Sequence, residues 1–102
     1  MVRQIASVDE FKQVISQGTV VVDFYATWCG PCKMIAPFLE QLSKDYTSIQ
    51  FIKVDVDELE EISSEAGVSA MPSFYVYKDG KVVDQLVGAS KEKLEAMVKK
   101  FA

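Results

Sequence analysis

Two cysteines, Cys29 and Cys32, are the residues of this 102-residue chain best suited to chemistry, and only Gly30 and Pro31 separate them. Two cysteines placed at random in a chain of this length would stand three apart in about 2% of arrangements, so the spacing is informative. Such a pair can form a structural disulfide, supply half of a metal site, or exchange with disulfides of other molecules. The rest of the sequence indicates which of these three kinds of site is present.

The structural disulfide and the metal site are the weaker alternatives. Closing a ring of four residues contributes roughly 2 kcal/mol of loop entropy, against almost 5 kcal/mol for a loop of about 100 residues. A structural zinc site needs four ligands, and the chain has no histidine, so acidic residues or a second chain would have to complete it. The absence of histidine also excludes Cys-His proteolysis and Ser-His-Asp hydrolysis.

The local sequence favours a reactive thiol. The apolar residues that follow Cys32 recur at helical spacing, which places Cys29 near a helix N-terminus, where free N–H groups stabilise an anion. Pro31 suits the first helical turn, and Gly30 keeps bulk away from Cys29. A low thiol pKa makes Cys29 a good leaving group when Cys32 attacks it. We expect Cys29 to be exposed and Cys32 to be sheltered.

Hydrophobic patterning predicts the elements that position the cysteines: five strands and four helices in the order β-α-β-α-β-α-β-β-α. The early helices imply parallel strand crossovers, and Asp79-Gly80 predicts an antiparallel hairpin. The expected fold is therefore an α/β mixed sheet with helices on both faces, and the cysteines follow its central strand. The predicted strands are Val2–Ile5, Val20–Ala26, Ile49–Val56, Ser73–Lys78 and Lys81–Val87. Predicted helix caps are Ser7 with Glu10, Asp57 with Glu60, and Ser90; Pro37 is expected to kink the long helix without ending it.

Composition limits the function classes. A formal charge of −4 and 49% hydrophobic residues argue for one globular domain over residues 1–102 that does not bind nucleic acid. The N-terminal residues lack the apolar run of a signal peptide and the basic character of a transit peptide. No apolar stretch is long enough to cross a membrane. We expect a cytoplasmic monomer that holds no metal.

Asp23 and Lys53 interrupt two strands that should be buried. One interpretation places each side chain at an exposed edge or end of its strand. The other is a buried and mutually compensating pair, which costs desolvation and is usually kept for function. The residues alone leave both interpretations open.

The segment VVDFYATWCGPCKMIAP strongly resembles the active-site segment of the thioredoxin family, and VDVDEL, VSAMPSF, the Asp79-Gly80 hairpin and Gly88 follow in the family's order. The resemblance covers the whole chain and is nearest to small eukaryotic cytosolic members of fungal type. It implies the thioredoxin fold and a protein disulfide reductase. By this resemblance, Cys29 is the nucleophile and Cys32 the resolving cysteine of a redox disulfide. Asp23 accepts the Cys32 proton, and Lys53 tunes Asp23.

The resemblance also implies the surroundings of the pair and the partners. Pro72 matches the family's cis-proline. No bound cofactor is implied; electrons would come from NADPH through a flavoprotein thioredoxin reductase and pass to peroxiredoxins, ribonucleotide reductase and methionine sulfoxide reductases. A thiol-independent role in a larger assembly, or disulfide oxidation or isomerisation, remains an alternative. The implied redox loop and substrate groove comprise Trp28, Gly30, Pro31, Ala70, Met71, Pro72 and Gly88.

Overall fold

A computed structural model describes all 102 residues and contains a five-stranded sheet with four helices. The element order is the one predicted from the hydrophobic pattern, and no strand boundary differs from its predicted position by more than one residue. The elements are β1 (Arg3–Gln4), α1 (Val8–Ile15), β2 (Thr19–Tyr25), α2 (Gly30–Asp45), β3 (Gln50–Asp55), α3 (Glu60–Glu65), β4 (Ser73–Lys78), β5 (Lys81–Val87) and α4 (Lys91–Phe101).

The strands lie in the order β1-β3-β2-β4-β5. β1 and β2 each run parallel to β3, whereas β4 is antiparallel to both β2 and β5. The predicted mixed sheet is therefore confirmed. β2 occupies the centre, which explains why its sequence is almost continuously apolar: a central strand covered on both faces has no solvent side. In this register Asp23 on β2 stands directly beside Lys53 on β3.

Two apolar layers cover the sheet, one on each face. α1 and α3 pack on one face through Phe11 and Ile62. α2 and α4 pack on the other face, where their buried side chains meet alternate residues of the central strands. α2 continues through Pro37 to Asp45 as predicted. No helix has the length and apolarity that a membrane crossing requires.

The helix starts follow the predicted caps in two of three cases. Ser7 Oγ accepts the Glu10 N–H, and Ser90 Oγ accepts the Lys93 N–H. The predicted cap of α3 at Asp57 is wrong, since that helix begins after Leu59 without a side-chain cap. The Asp55 carboxylate instead accepts the N–H groups of Asp57 and Glu58, which turns the chain before α3 and leaves the Asp57 carboxylate free for another contact.

The hairpin between β4 and β5 turns at Asp79-Gly80 as predicted. Asp79 has φ 50° and Gly80 has φ 87°, the pair of positive φ angles that matches the right-handed twist of two-residue hairpins. The Asp79 carboxylate also accepts the Gly18 N–H at 2.8 Å, which joins the hairpin to the segment before β2.

Replacing Ser7 by alanine is expected to lower the free energy of unfolding by about 1 kcal/mol, because the first turn of α1 loses its cap. Urea unfolding monitored by circular dichroism measures the change. Ser48→Ala, at an exposed serine in the turn before β3, is the matched control and should change the stability little. Equal effects of the two substitutions would show that the cap contributes nothing specific.

Candidate functional site

Cys29 and Cys32 form a disulfide at the start of α2, immediately beyond the end of the central strand β2. Their Cα atoms are 5.3 Å apart. Cys29 is the N-cap of the helix, and its Sγ accepts the Cys32 N–H at 3.2 Å. Pro31 lies in the first turn, which contains no acidic residue. The helix terminus can therefore stabilise negative charge on Cys29 Sγ, and no carboxylate in that turn opposes it.

The expected contrast in exposure between the two cysteines is wrong for this disulfide-bonded state. Cys29 is 5% exposed and Cys32 is 4% exposed. The reason is that another segment approaches Cys29 from the side: its Sγ lies 3.7 Å from the carbonyl oxygen of Met71. Any difference in reactivity between the two cysteines must therefore come from the groups around each sulfur and not from a difference in exposed fraction.

The segment beside the disulfide contains the predicted groove residues. The Met71–Pro72 peptide bond is cis, and the Pro72 carbonyl accepts the Gly88 N–H at 2.9 Å. Gly88 has φ 106°, a backbone conformation that residues other than glycine rarely adopt. Ala70 is exposed and Met71 is half-buried. The structure thus brings Met71 against Cys29 and joins Gly88 to the neighbouring Pro72.

Trp28 immediately precedes Cys29, and its side chain is held by a residue that the sequence did not reveal. Its side chain is 68% exposed, yet its indole Nε1 donates a hydrogen bond to Asp57 Oδ2 at 2.9 Å. Asp57 was expected to cap α3, and its 29-residue separation from Trp28 gave no pairing signal. The contact arises because the β2–α2 and β3–α3 connections lie at the same end of the sheet.

Removing this partner is expected to free the indole. Trp28 is the chain's single tryptophan, so time-resolved fluorescence anisotropy reports its motion directly. In Asp57→Ala, the fast nanosecond component of the anisotropy decay should grow, because a hydrogen bond of about 1 kcal/mol no longer restrains the ring. Glu58→Ala, which removes the neighbouring exposed carboxylate, should leave the decay unchanged. An unchanged decay in Asp57→Ala would contradict the restraint.

Asp23 lines the same cavity as Cys32 and is the only buried side chain whose polar oxygen lacks a hydrogen-bond partner. The residue is 4% exposed, and the orphaned atom is Oδ1. Burial raises the pKa of Asp23 from its usual 3.8 to about 7, although the positive charge of Lys53 acts in the opposite direction. An acid with this pKa can take up and release a proton near neutral pH.

Lys53 differs from the expected buried partner. Its side chain is half-buried, and none of the three ion pairs in the structure joins it to Asp23. Its ammonium nitrogen lies instead 5.7 Å from the centre of the Tyr25 ring. The strand register sets Lys53 beside Asp23, so Lys53 acts on the carboxylate through space and not through a direct contact.

A cavity of about 240 Å³ connects Asp23 with Cys32. It is lined by Asp23, Lys53 and Tyr25 from the sheet and by Cys32, Lys33 and Ala36 from α2, among others. A larger cavity of about 400 Å³ lies at the opposite end of the sheet, but its lining contains no cysteine and no charged side chain. The smaller of these two cavities is therefore the one suited to thiol chemistry, since it places an acid with a near-neutral pKa next to Cys32.

Comparisons with known proteins identify the family of the chain. The thioredoxin family model matches residues 2–100. The chain is 57% identical to thioredoxin-1 of Schizosaccharomyces pombe, over 97% of each protein. It superimposes on a Plasmodium falciparum thioredoxin structure with a TM-score of 0.97, at 50% identity over 99% of this chain and 100% of the other.

A third match comes from a structure titled for the thiol resolving mechanism of a yeast mitochondrial 1-Cys peroxiredoxin through glutathione and thioredoxin systems. Its TM-score is 0.92 at 40% identity, covering 97% of this chain and 94% of the other. The family match, the fold and the cysteine pair lead to one conclusion. The chain belongs to the thioredoxin family and is a thiol–disulfide oxidoreductase.

Proposed function

We propose that the chain works in the reducing direction, passing two electrons from the Cys29–Cys32 dithiol to disulfides of other proteins. The observation that carries the proposal is the position of the pair. One sulfur accepts a helix N–H, and the other cysteine shares a cavity with a buried acid whose pKa is about 7. This arrangement supplies both a stabilised thiolate and a proton acceptor, the two requirements of a dithiol exchange.

In the first step, the Cys29 thiolate attacks one sulfur of the substrate disulfide. A Cys29–substrate disulfide forms, and the other substrate sulfur leaves as a thiolate and takes a proton from water. The helix N-terminus and the Cys32 N–H stabilise negative charge on Cys29 Sγ before attack. They stabilise it again when Cys29 becomes the leaving group, which favours the second step as well.

In the second step, Cys32 resolves the mixed disulfide. Asp23 takes the proton of the Cys32 thiol, and the resulting thiolate attacks Cys29 Sγ. The Cys29–Cys32 disulfide forms, and the reduced substrate leaves and is protonated. The cavity has room for a water molecule to carry the proton between Cys32 and Asp23. Lys53 adjusts the acidity of Asp23 through its positive charge.

The groove beside the pair would hold the substrate chain. In this proposal, one side of the groove is formed by Trp28, Gly30 and Pro31, and the other side by Ala70, Met71, Pro72 and Gly88. The groove presents backbone groups and apolar side chains, so it suits an extended segment of varied sequence around a cysteine. Disulfide-containing proteins are thus the partner class, with peroxiredoxins, ribonucleotide reductase and methionine sulfoxide reductases as specific candidates.

The electron source in this proposal is NADPH, delivered by a flavoprotein thioredoxin reductase, so the chain itself needs no bound cofactor. We place the reaction in the cytoplasm, with residues 1–102 working as a single-domain monomer. The structural match titled for a yeast peroxiredoxin and thioredoxin systems supports a disulfide-protein partner.

Insulin reduction tests the proposal. The chain, NADPH and a thioredoxin reductase should reduce insulin disulfides with continuous loss of NADPH absorbance, and a Cys29→Ser, Cys32→Ser double variant should not. Turnover with dithiothreitol but not with the reductase would refute the assigned electron source. No turnover with either reductant would refute the reductase function.

A further inference from the structure

The surroundings of Lys53 contain an arrangement that the dithiol mechanism does not use. Gln4 on β1, Lys53 on β3 and Asp23 on β2 lie in one row across three adjacent strands, because Gln4 pairs with Lys53 and Lys53 pairs with Asp23. Residues paired in this way project from the same face of a sheet, about 5 Å apart. Tyr25 lies two residues beyond Asp23 on β2 and shares that face.

Tyr25 reaches across β3 to Gln4. The Gln4 side-chain amide donates to the Tyr25 hydroxyl at 2.7 Å, and the Tyr25 hydroxyl donates to the Gln4 amide oxygen at 2.9 Å. The strand between them carries Lys53, whose ammonium lies 5.7 Å from the Tyr25 ring centre. The tyrosine–glutamine pair therefore spans the lysine and faces it with an aromatic ring, which attracts cations.

We propose that Tyr25 and Gln4 are positioning residues that hold the Lys53 ammonium beside Asp23. A lysine side chain has four flexible torsions and gains hydration by turning into solvent. Lys53 forms no ion pair that would prevent this movement. The contacts that restrain it are the aromatic ring above it and the two hydrogen bonds that fix that ring.

The electrostatic consequence follows from the groups around Asp23. Lys53 favours the ionised carboxylate, so losing it from this position would favour the protonated acid. β4 contributes no charge here, because the residue paired with Asp23 on that strand is Phe74. The other groups facing the cavity or the Tyr25 hydroxyl are Cys32 and Lys33 from α2 and the carboxylates of Asp55 and Glu58.

The inference rests on the proposed role of Asp23 in resolving the mixed disulfide, but its test does not. The carboxyl carbon of Asp23 can be titrated by ¹³C NMR in the disulfide-bonded chain, where no turnover takes place. In Tyr25→Leu, the midpoint should move upward by about half a pH unit to one pH unit, as expected for a unit charge that retreats by several ångströms. Gln4→Met should move it in the same direction by less, because the ring remains.

A double-variant cycle separates positioning from a structural effect. If Tyr25 acts through Lys53, then adding Tyr25→Leu to Lys53→Met should produce no further movement of the midpoint. A change in packing or solvent access at Asp23 would move the midpoint equally in both backgrounds. Tyr46→Leu, a half-buried tyrosine at the end of α2, is the matched control and should leave the titration unchanged.

The proposed function adds a kinetic readout. At pH 7, mixed-disulfide resolution in Tyr25→Leu should slow by about two- to fivefold, because a smaller fraction of Asp23 is ionised. The rate should recover at higher pH. If Tyr25→Leu does not fold, Gln4→Met at an exposed position decides the question on its own.

Unchanged Asp23 titration midpoints in Tyr25→Leu and Gln4→Met would overturn the inference. It would also be overturned if Tyr25→Leu moved the midpoint equally in the parent chain and in Lys53→Met. Failure of the chain to reduce insulin would refute the proposed function, but it would not change the Asp23 midpoints measured in the disulfide-bonded chain. The two failures are therefore distinguishable.

Discussion

A Cys32→Ser variant is expected to accumulate a mixed disulfide between Cys29 and its substrate. Cys29 keeps its position at the N-terminus of α2, so the first attack still proceeds. The second attack has no thiol, and steady-state turnover should fall on the order of a hundredfold or more. Non-reducing gel electrophoresis followed by mass spectrometry would show the adduct and its link to Cys29.

Cys29→Ser is the matched comparison, because it keeps one cysteine of the same helix turn. It should form little adduct, since Cys32 is not the sulfur that caps the helix. Equal trapping by both variants would mean that the two cysteines are interchangeable. Trapping by neither would contradict a mixed-disulfide mechanism. Rescue of every deletion phenotype by the double serine variant would point to a role that needs no thiol.

Ionisation of the buried Asp23 is expected to lower the free energy of unfolding as pH rises. Its pKa is raised by burial from 3.8 to about 7 in the folded chain, so the folded state binds the proton more tightly than the unfolded state does. The contribution of Asp23 to stability is therefore complete below pH 3.8 and is lost as pH rises through about 7. Each pKa unit corresponds to about 1.4 kcal/mol, so the shift of about three units makes the full loss about 4 kcal/mol.

Asp23→Asn should remove this loss, because the amide has the shape of the protonated acid and cannot ionise. We compare the free energy of unfolding of the variant with that of the parent chain. The advantage of the variant should be about 3–4 kcal/mol larger at pH 8 than at pH 4. Guanidinium unfolding of the disulfide-bonded proteins at both pH values measures this difference. Asp45→Asn, at an exposed carboxylate at the end of α2, should show little pH-dependent gap. A gap that does not change with pH would show that the Asp23 pKa is not raised.

Asp23 lowers the stability of the folded chain, and we expect this cost to be offset by its role in catalysis. The predicted gain in stability of Asp23→Asn should come with slower resolution of the mixed disulfide, since Cys32 loses its proton acceptor. Stability and activity would then change in opposite directions at one residue, as is common where an active site stores unfavourable interactions. The same measurements would therefore separate a structural role for Asp23 from a chemical one.

Much of the molecule was predictable from local pattern. The continuous apolar run of β2 identifies a strand covered on both faces, and the Asp79-Gly80 pair identifies the hairpin. The Ser7 and Ser90 caps mark the starts of two helices. These features were predictable because strand burial, turn geometry and helix capping depend on residues within a few positions of each other. The cysteine spacing and the start of α2 likewise located the reactive pair.

The wrong predictions for Asp57 and Cys29 have the same physical cause. Asp57 has the sequence pattern of a helix cap, yet it bonds Trp28 across 29 residues, and Asp55 makes the local turn instead. Cys29 should be exposed at a helix N-terminus, but the Met71 segment lies against it. In each case a segment distant in sequence competes with the local preference, and its arrival depends on the whole sheet.

By itself, the sequence determined the order of elements, the central strand and the thiol chemistry at its end, since these follow from periodicity and spacing. Only the tertiary structure decided how Asp23 and Lys53 relate. Their register on adjacent parallel strands sets them side by side, and packing buries the first while leaving the second half-exposed under Tyr25. Burial and distance set a pKa, and both are properties of the assembled sheet.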